Sequence, residues 1–267
     1  SIWCQGFSEP DHGSDLGNAQ TSAVRDGDDY VINGSKAWIT NSLHGSCFAM
    51  LVKTDPTAQP SHKGMSLFIA PKGEGFVMGS KHKKLGYKGV DTAEFFLDDY
   101  RLPADHLIGL EEGHGLQHAL GALALGRINV ASRGIGVASA ALQDSIEYSQ
   151  QRKTFGKPIC QHQSIQIYLA DMATRVEAAR LLVQSAAKAF DRGERCDMEA
   201  GMAKLFATEA AMENSAEALR IHGAYGYSTE FNVERYYRDA PLLAIGEGTN
   251  ELQRIIIAKQ LIEQNPL

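Results

Sequence analysis

The fold of the first part of the chain is indicated by residues 30–40, YVINGSKAWIT. β-Branched and aromatic residues dominate both ends of this segment, as is typical of β-strands. The dipeptide Asn33-Gly34 lies between the two ends and favours the two-residue turn of a β-hairpin, because both residues tolerate positive φ. The segment therefore predicts two paired antiparallel strands.

Similar runs on either side extend the strand pattern to about Leu110. They are residues 2–7, 20–25, 47–54, 65–70 and 92–97. Turn signals separate them at Asp26-Gly27 and at Gly73-Glu74-Gly75, and the proline-containing segment 55–64 has the composition of a surface loop. No long helical pattern interrupts the runs, and the sequence contains no G-x-G-x-x-G motif. These features favour an antiparallel barrel or sandwich over a parallel Rossmann sheet.

Helical spacing replaces the strand pattern after Leu110. Apolar residues recur every three or four positions in residues 116–150, 163–190, 198–222 and 250–263. We predict four main antiparallel helices, separated by breaks at residues 154–158, 192–193 and 223–229. A boundary near residues 111–113 divides the chain into a β domain, residues 1–111, and a helical bundle, residues 112–267. The predicted fold class is therefore α+β.

Composition excludes several classes of protein. The 267 residues are 43% apolar, which is enough to bury a substantial core, and the net charge is −6. A general nucleic-acid surface needs concentrated positive charge, so we expect no nucleic-acid partner. The longest apolar stretch, residues 116–125, is too short to span a bilayer. Four cysteines without a C-x-x-C pair are typical of free thiols, and we expect a cytoplasmic protein.

A candidate for chemistry is the carboxylate in residues 244–254, AIGEGTNELQR. Glu247 lies between two glycines, just ahead of a helix whose first turn begins near Thr249. The glycines leave the carboxylate and the backbone open to another molecule. The helix start favours an ionised carboxylate, whereas burial under a substrate raises its pKa, and these opposed effects suit a general base. The simpler interpretation is an exposed glutamate in a loop before a helix.

This segment resembles the active-site loop of the acyl-CoA dehydrogenase family, where the Glu of an E-G-T-[SN]-[EQ] run removes a proton from the acyl chain. The resemblance implies that Glu247 is the catalytic base. It also implies that Thr249 and Glu251 contact the cofactor, FAD, and that Gly248 contacts the substrate. Five family motifs occur in the family's order between Ser8 and Arg254. The resemblance therefore covers nearly the whole chain.

Two of these motifs lie in the strand-rich half. Taken alone, residues 8–15, SEPDHGSD, form a polar loop, and Trp38 is a core aromatic. They resemble the family's T-E-P-x-A-G-S-D and W-I-T-N runs, with Ser8 at the Thr position and His12 in place of a smaller residue. The resemblance implies flavin contacts by Phe7, Ser8, Gly13, Ser14, Trp38, Ile39 and Thr40. It also implies that Ser14 contacts the substrate.

Two further motifs lie in the helical half. Residues 151–159, QRKTFGKPI, would alone be a solvated basic loop, and they resemble the family's R-x-T-F-G-x-x-[IL] run. Residues 220–227, RIHGAYGY, resemble its Q-[IL]-x-G-G-x-G-[FY] turn, with Arg220 for Gln and Ala224 for the second Gly. In the family these segments reach FAD, the first of them in a neighbouring subunit. The implied contacts are Arg152, Thr154, Phe155, Gln163, Arg220, Ile221, His222, Gly223 and Ala224.

The start of the first helix bears on the choice of base. Some family members carry the catalytic Glu just before an Arg in this helix, and here that position is Gly126, beside Arg127. Glu247 therefore has no competitor. Arg127 resembles the family's substrate-side Arg, although the Asp that some members carry three residues earlier is Ala124 here. His114 and His118 have the spacing of metal ligands on a helix, but no Cys or paired acid accompanies them, so we expect no metal site.

Together the resemblance implies an FAD-dependent acyl-CoA dehydrogenase. Glu247 would take the α proton of an acyl-CoA while the β hydrogen leaves as hydride to flavin N5, giving a trans-2-enoyl-CoA. The family pattern also implies a homo-oligomer, a dimer or a homotetramer built as a dimer of dimers, and an electron-transfer flavoprotein as acceptor. Family members begin with a helical domain, whereas this sequence starts at Ser1, close to the predicted flavin loop, so we expect either a fragment or a further part of the protein. Two alternatives stay open: a flavin oxidase or monooxygenase of the same fold, and a non-catalytic module that binds acyl-CoA or a partner chain.

Gly246 leads to a prediction about the acyl group. Straight-chain short and medium enzymes of the family often have Tyr before the Glu, and Gly leaves the acyl pocket wider. We expect Gly246→Tyr to reduce activity toward branched or aromatic acyl-CoAs more than toward straight short ones, because the ring fills that space. Rates for a panel of acyl-CoAs test this, and an unchanged order of substrates would contradict it.

Overall fold

The structure, a computed structural model, describes residues 1–266. The chain forms two compact units. Unit 1 comprises residues 1–84 and 88–122, and unit 2 comprises residues 85–87 together with the chain from Leu123 onward. Each unit has a hydrophobic core of its own.

Unit 1 is a curled seven-stranded sheet. Its strands are β1 (Trp3–Gly6), β2 (Ser22–Asp26), β3 (Asp29–Thr40), β4 (Cys47–Lys53), β5 (Met65–Pro71), β6 (Phe76–Lys81) and β7 (Thr92–Pro103). The order is β1-β4-β2-β3-β7-β6, and β5 pairs with β4. Most pairs are antiparallel, as predicted, but β1 and β2 both run parallel to β4. The α+β class is confirmed.

The prediction of a hairpin turn at Asn33-Gly34 is wrong. β3 continues through both residues, and its pairing with β7 shifts register between Ile32 and Gly34, which marks a bulge or irregularity. The turn lies earlier, where Asp26 pairs with Asp29 around Gly27 at φ 65°. Gly34 has φ 146°, and a β-carbon there would lie 2.7 Å from Thr21 Cα. Glycine is therefore needed at this position for close approach of two backbones, a second role that it has in strands.

Aromatic side chains fill the core of unit 1. Phe48, Phe76 and Phe95 lie with ring centroids 4.4 to 5.1 Å apart, and Tyr100 packs edge-on against Phe76 at 5.7 Å. Phe76 belongs to β6, which the sequence pattern did not reveal. Gly79 interrupts β6, and the strand is only partly buried, so its alternation is weak.

Unit 2 is helical. The helices are α1 (Gly115–Gln151, which begins within unit 1), α2 (Gln163–Asp191), α3 (Asp197–His222), α4 (Val233–Ile245) and α5 (Asn250–Gln264); a two-stranded ribbon of β8 (Lys153–Thr154) and β9 (Lys157–Pro158) follows α1. Four helices agree with the prediction, and α4 was missed. Pro241 lies inside α4 and is normally a helix breaker, which explains the omission.

Small residues allow the helices of unit 2 to approach closely. Ala131 on α1, Ala179 on α2 and Ala203 on α3 are fully buried in one cluster. A β-carbon on Gly134 would lie 2.8 Å from the carbonyl oxygen of Ala207, so α1 and α3 come close at this point. Among the described residues, no helix is long and apolar enough to cross a membrane.

Gly34→Ala should destabilise the protein by roughly 2 kcal/mol or more, because the added methyl overlaps the Thr21 backbone and φ is unfavourable for L-residues. Gly89→Ala is the matched control, since a β-carbon there meets nothing within 4 Å, and we expect a change within about 0.5 kcal/mol. Urea unfolding followed by circular dichroism measures both. Equal stability of the two variants would contradict the close approach of Gly34 to the Thr21 backbone.

Candidate active site

Glu247 lies on the bend that connects α4 to α5. Its φ is 58° and that of Gly248 is 82°, so two successive residues adopt the left-handed region. The bend starts where the Gly246 N–H donates to the Leu242 carbonyl at 2.8 Å. It ends where Thr249 caps α5, its hydroxyl accepting from the Leu252 N–H at 3.3 Å. A non-glycine residue at positive φ is strained, and such strain is concentrated at functional sites.

The Glu247 carboxyl points toward Gly126 on α1. A β-carbon on Gly126 would lie 2.7 Å from Glu247 Oε2, so any larger residue at position 126 would displace the carboxyl. Oε2 is buried and has no hydrogen-bond partner among residues 1–266. Burial raises the pKa of Glu247, and Arg127, Arg133 and Lys204 act against that shift. Burial outweighs the three cations, and a raised pKa brings a carboxyl closer to the strength that proton transfer near neutral pH requires.

Arg127 is the neighbouring cation on α1. It is 5% exposed, and its Nη1 lies 3.7 Å from Asp197 Oδ1. Its Nε has no hydrogen-bond partner within the described part of the chain, and burial lowers its pKa. Arg127 and Glu247 therefore each present one buried polar atom without a protein partner.

Lys204 on α3 anchors the Glu247 bend. Its side chain is completely buried, and its ammonium donates at 2.9 Å to the carbonyls of Ala244 and Gly248 and to Asn250 Oδ1. Gln253 adds a second donor to the Gly248 carbonyl at 3.0 Å. Lys204 belongs to none of the sequence motifs. Ala200 lies four residues before Lys204 and Ala207 three residues after it, so this spacing places Lys204 on the buried face of α3. The spacing is the sequence feature that could have indicated a buried lysine.

In unit 1 the structure brings together two motifs that are thirty residues apart. The Ala37 N–H donates to the Ser8 carbonyl at 3.0 Å, which places the Ser8 loop beside the Trp38 segment. Trp38 is 60% exposed, adopts φ 61° and stacks on His82 with ring centroids 4.3 Å apart. Trp38 is therefore an exposed, oriented aromatic and not the core residue that its sequence alone favours.

A buried ion pair holds the Ser8 loop in place. The Lys36 ammonium donates to Glu9 Oε1 at 2.9 Å and to the carbonyls of Phe7 at 3.1 Å and Leu51 at 2.6 Å. Burial lowers the pKa of Lys36 to about 8. Glu9 in turn accepts from the N–H groups of Gln20 at 2.6 Å and Thr21 at 2.9 Å. This network fixes the main chain on both sides of Ser8.

The remaining predicted cofactor residues of unit 1 fall into two groups. Gly13, Ser14 and Thr40 are exposed and free to meet a ligand. Phe7 and Ile39 are buried in the cores of unit 1, so their side chains contribute to packing and only their main chains remain for a ligand.

The predicted cofactor residues of unit 2 divide in the same way. Phe155 is 96% exposed at the tip of the β8–β9 ribbon, and Thr154 Oγ1 lies 3.2 Å from His162 Nε2. Exposed residues also include Arg152, Gln163, Arg220, Gly223, Ala224 and Glu251. Ile221 and His222 are buried, and the His222 ring stacks on Tyr148 at 4.2 Å. The His222 side chain therefore stabilises the bundle, because its Nδ1 is also 2.8 Å from the Ala218 carbonyl.

The histidine pair does not extend to a metal cluster. The ring centroids of His114 and His118 are 6.3 Å apart. Nowhere between residues 1 and 266 do three or more His, Cys, Asp or Glu side chains form a group able to hold a metal ion.

Two family descriptions match the chain. "Acyl-CoA dehydrogenase, middle domain" matches residues 4–100, and "Acyl-CoA dehydrogenase, C-terminal domain" matches residues 113–262.

Individual relatives agree with these matches. The chain is 41% identical over 258 residues to cyclohexane-1-carbonyl-CoA dehydrogenase of Geobacter metallireducens, covering 96% of this chain and 67% of that protein. It is 44% identical over 262 residues to mitochondrial short-chain specific acyl-CoA dehydrogenase of Mus musculus, covering 98% and 63%. The structure of butyryl-CoA dehydrogenase from Megasphaera elsdenii is similar with a TM-score of 0.94 and 40% identity, covering 97% and 68%. The chain thus spans 63% to 67% of the length of these two curated relatives.

Glu247 should make the protein less stable as pH rises. Because the folded carboxyl has a raised pKa, its contribution to stability is complete below the unfolded pKa of about 4.5 and is lost as pH rises through the folded pKa. Glu247→Gln removes this contribution. The free energy of unfolding in urea, measured for both proteins from pH 4 to pH 7, should therefore shift in favour of the variant as pH rises. A constant difference between the two curves would show that the Glu247 pKa is not raised.

Proposed function

We propose that this chain, which belongs to the acyl-CoA dehydrogenase family, carries the catalytic part of an FAD-dependent enzyme that oxidises an acyl-CoA thioester to a trans-2-enoyl-CoA. The observation that carries the proposal is the Glu247 carboxyl. It is held on a bend with positive φ, flanked by glycines, and its pKa is raised by burial. These are the properties of a general base that acts on a weakly acidic C–H bond.

The residues of unit 1 fit a flavin. The exposed Trp38 offers a flat surface next to the main chain of residues 37–40, and the Ser8 loop lies directly beside it. Gly13 and Ser14 are exposed on the same loop, and a β-carbon on Gly13 would meet nothing within 4 Å, so a large planar group can approach. We propose that Ser8, Ser14, Trp38 and Thr40 hold FAD. When bound, FAD supplies the acceptor for the β hydrogen.

Glu247 performs the proton half of the reaction in this proposal. Its carboxylate removes one α proton, and the acidity of that proton depends on polarisation of the thioester carbonyl. Oε2 has no partner among the described residues, and neither Gly246 nor Gly248 carries a side chain that would shield the carboxyl from the acyl chain. Arg127, whose buried Nε also has no partner among the described residues, contributes a fixed positive charge next to the base, and we propose that it contacts the substrate with Ser14 and Gly248.

The acyl group is proposed to be short or alicyclic. Three relatives that match almost the whole of this chain are named for short-chain, butyryl and cyclohexane-1-carbonyl substrates. Gly246 places no side chain next to Glu247, which is compatible with a ring as well as with a short chain.

We also propose that the protein is a homo-oligomer, either a dimer or a homotetramer built as a dimer of dimers. Phe155 and Tyr227 are 96% and 93% exposed, and exposed aromatics of this size are enriched at interfaces. With Arg152, Thr154 and Gln163 near the ribbon, Phe155 would meet FAD held by another subunit. A monomer in sedimentation analysis at micromolar concentration would contradict this.

The electron acceptor is proposed from the family pattern. We propose an electron-transfer flavoprotein as acceptor, as in the family, and failure of the reduced enzyme to reduce one would exclude it.

All four cysteines are free thiols, which supports a reducing compartment such as the cytoplasm. We place the domain boundary at residues 111–113, between β7 and α1 and between the two family matches. Limited proteolysis tests the boundary.

Glu247→Gln should retain bound FAD but abolish its reduction, with a rate loss of at least about 1,000-fold, because an amide cannot accept the α proton. The measurement is anaerobic bleaching of the flavin absorbance by a short acyl-CoA in the full-length protein. Glu263→Gln, which changes an exposed glutamate on α5, is the control and should bleach at the wild-type rate.

The same assay separates the alternatives. A wild-type protein that lacks FAD, or whose FAD does not bleach, would be a non-catalytic module. Rapid recolouring by oxygen after bleaching would identify an oxidase. Normal bleaching in Glu247→Gln would place the base elsewhere.

A further inference from the structure

Lys204 is a buried cation that the proposed reaction does not use directly. Its side chain is fully buried on α3, yet its ammonium reaches three oxygens of the segment that contains Glu247. Burying an ammonium is costly unless its donors are paired, and here three donors meet three acceptors at 2.9 Å. The buried ammonium is therefore fully paired, and all of its acceptors belong to the segment around Glu247.

The three acceptors lie on both sides of the base. Ala244 is in the last turn of α4, where carbonyls lack helical partners, and Asn250 is the first residue of α5. Gly248 directly follows Glu247 and has φ 82°. One ammonium therefore joins the end of one helix, the bend and the start of the next helix. Replacing Lys204 would remove one hydrogen bond at each of these three points, so the position of Glu247 would be less tightly fixed.

Asn250 extends the anchor into α3. Its side-chain amide donates at 3.0 Å to Thr208 Oγ1 and to Glu209 Oε1, both on α3. The bend is therefore attached to α3 in two ways. The Lys204 ammonium donates to main-chain carbonyls of the bend, and the Asn250 amide donates to side chains of α3.

Lys204 also acts on Glu247 through its charge. Its ammonium is one of three cations that lower the pKa of Glu247, the others being Arg127 and Arg133 on α1. The charged groups around Lys204 itself are Glu251, Glu209 and Glu247, which raise its pKa, and Arg127, which lowers it. Burial lowers the Lys204 pKa to about 8, so the side chain is mainly protonated at neutral pH.

We propose that Lys204 is a positioning residue for the dehydrogenation: its ammonium fixes the bend that carries Glu247 and keeps that carboxylate available as a base. This inference rests on the proposed function, since it assigns Lys204 a role in the same reaction. Lys204 acts through Glu247 and the main chain, and it is not itself a catalytic residue.

Lys204→Met tests the proposal in the full-length protein with FAD bound. Met retains much of the length of Lys but has neither charge nor donors. We expect flavin reduction at saturating acyl-CoA to slow by roughly 10- to 100-fold, with bound FAD per protein and the KM for acyl-CoA little changed, because a displaced base affects chemistry more than binding. The acidic limb of the pH profile should move to higher pH, because the carboxylate loses a stabilising cation.

Two variants separate this role from simple stabilisation. Lys204→Arg keeps the charge, so its acidic limb should stay near the wild-type position even if its rate falls. Lys53→Met removes another buried lysine, whose ammonium donates to Ser61 Oγ at 3.0 Å in unit 1. Lys53 is not among the cations that lower the Glu247 pKa, so the acidic limb of Lys53→Met should not move. A wild-type acidic limb in Lys204→Met, or an equal shift in Lys53→Met, would overturn the proposal.

A second measurement does not depend on activity. In protein labelled with ¹³C at the glutamate side-chain carboxyl, the Glu247 resonance is assigned by its absence in Glu247→Gln, and its titration should move to higher pH in Lys204→Met. If the Glu247 titration does not shift in Lys204→Met, the inference is overturned, whether or not acyl-CoA reduces the flavin. Failure of acyl-CoA to reduce the flavin in the wild type would overturn only the proposed function. If Lys204→Met does not fold, Asn250→Ala replaces it. That variant should slow flavin reduction without moving the titration, and a wild-type rate would overturn the proposal.

Discussion

The structure depends on keeping a carboxyl partly buried on a strained bend. Glu247 adopts φ 58°, a conformation that costs on the order of 1 kcal/mol for a residue with a side chain, and burial disfavours its charge. The surrounding helices oppose both effects. Gly126 provides the space for the carboxyl, and Arg127, Arg133 and Lys204 provide positive charge. Residues of α1 and α3 therefore determine the space and the positive charge around the Glu247 carboxyl, although Glu247 itself lies on the bend between α4 and α5.

In both units a buried lysine holds a segment of irregular main chain. Each contains a fully buried lysine, Lys36 or Lys204, whose pKa is lowered to about 8 and whose ammonium donates to three oxygens. In each case the acceptors include main-chain carbonyls of a segment with a family motif. A lysine suits this purpose because its long side chain crosses a packed core and delivers three donors to one point. Irregular backbone around Ser8 and around Glu247 is thereby held without regular secondary structure.

Much of the fold could be predicted from the sequence. Periodicity located four of five helices, the strand runs located six of seven strands of the sheet, and the α+β class is confirmed. The failures arose where tertiary packing overrides a local signal. Gly34 serves a close approach to Thr21 instead of a turn, and Pro241 lies within a helix that packing stabilises. For the candidate site, motifs pointed to Glu247 and Trp38. Lys204 lies in no motif, and its hydrogen-bond partners are 40 to 46 residues further along the chain.

Proton removal can be measured separately from oxidation. An acyl-CoA analogue with sulfur in place of the β carbon cannot lose a β hydrogen, so the base can exchange the α protons but the flavin cannot be reduced. In D₂O we predict that the protein with FAD bound introduces one deuterium at the α carbon of this analogue, detected by mass spectrometry, since a fixed carboxylate reaches only one face. Glu247→Gln should introduce none above the rate without protein. Exchange at the wild-type rate in Glu247→Gln, or no exchange in the wild type, would contradict the assignment of Glu247 as the base.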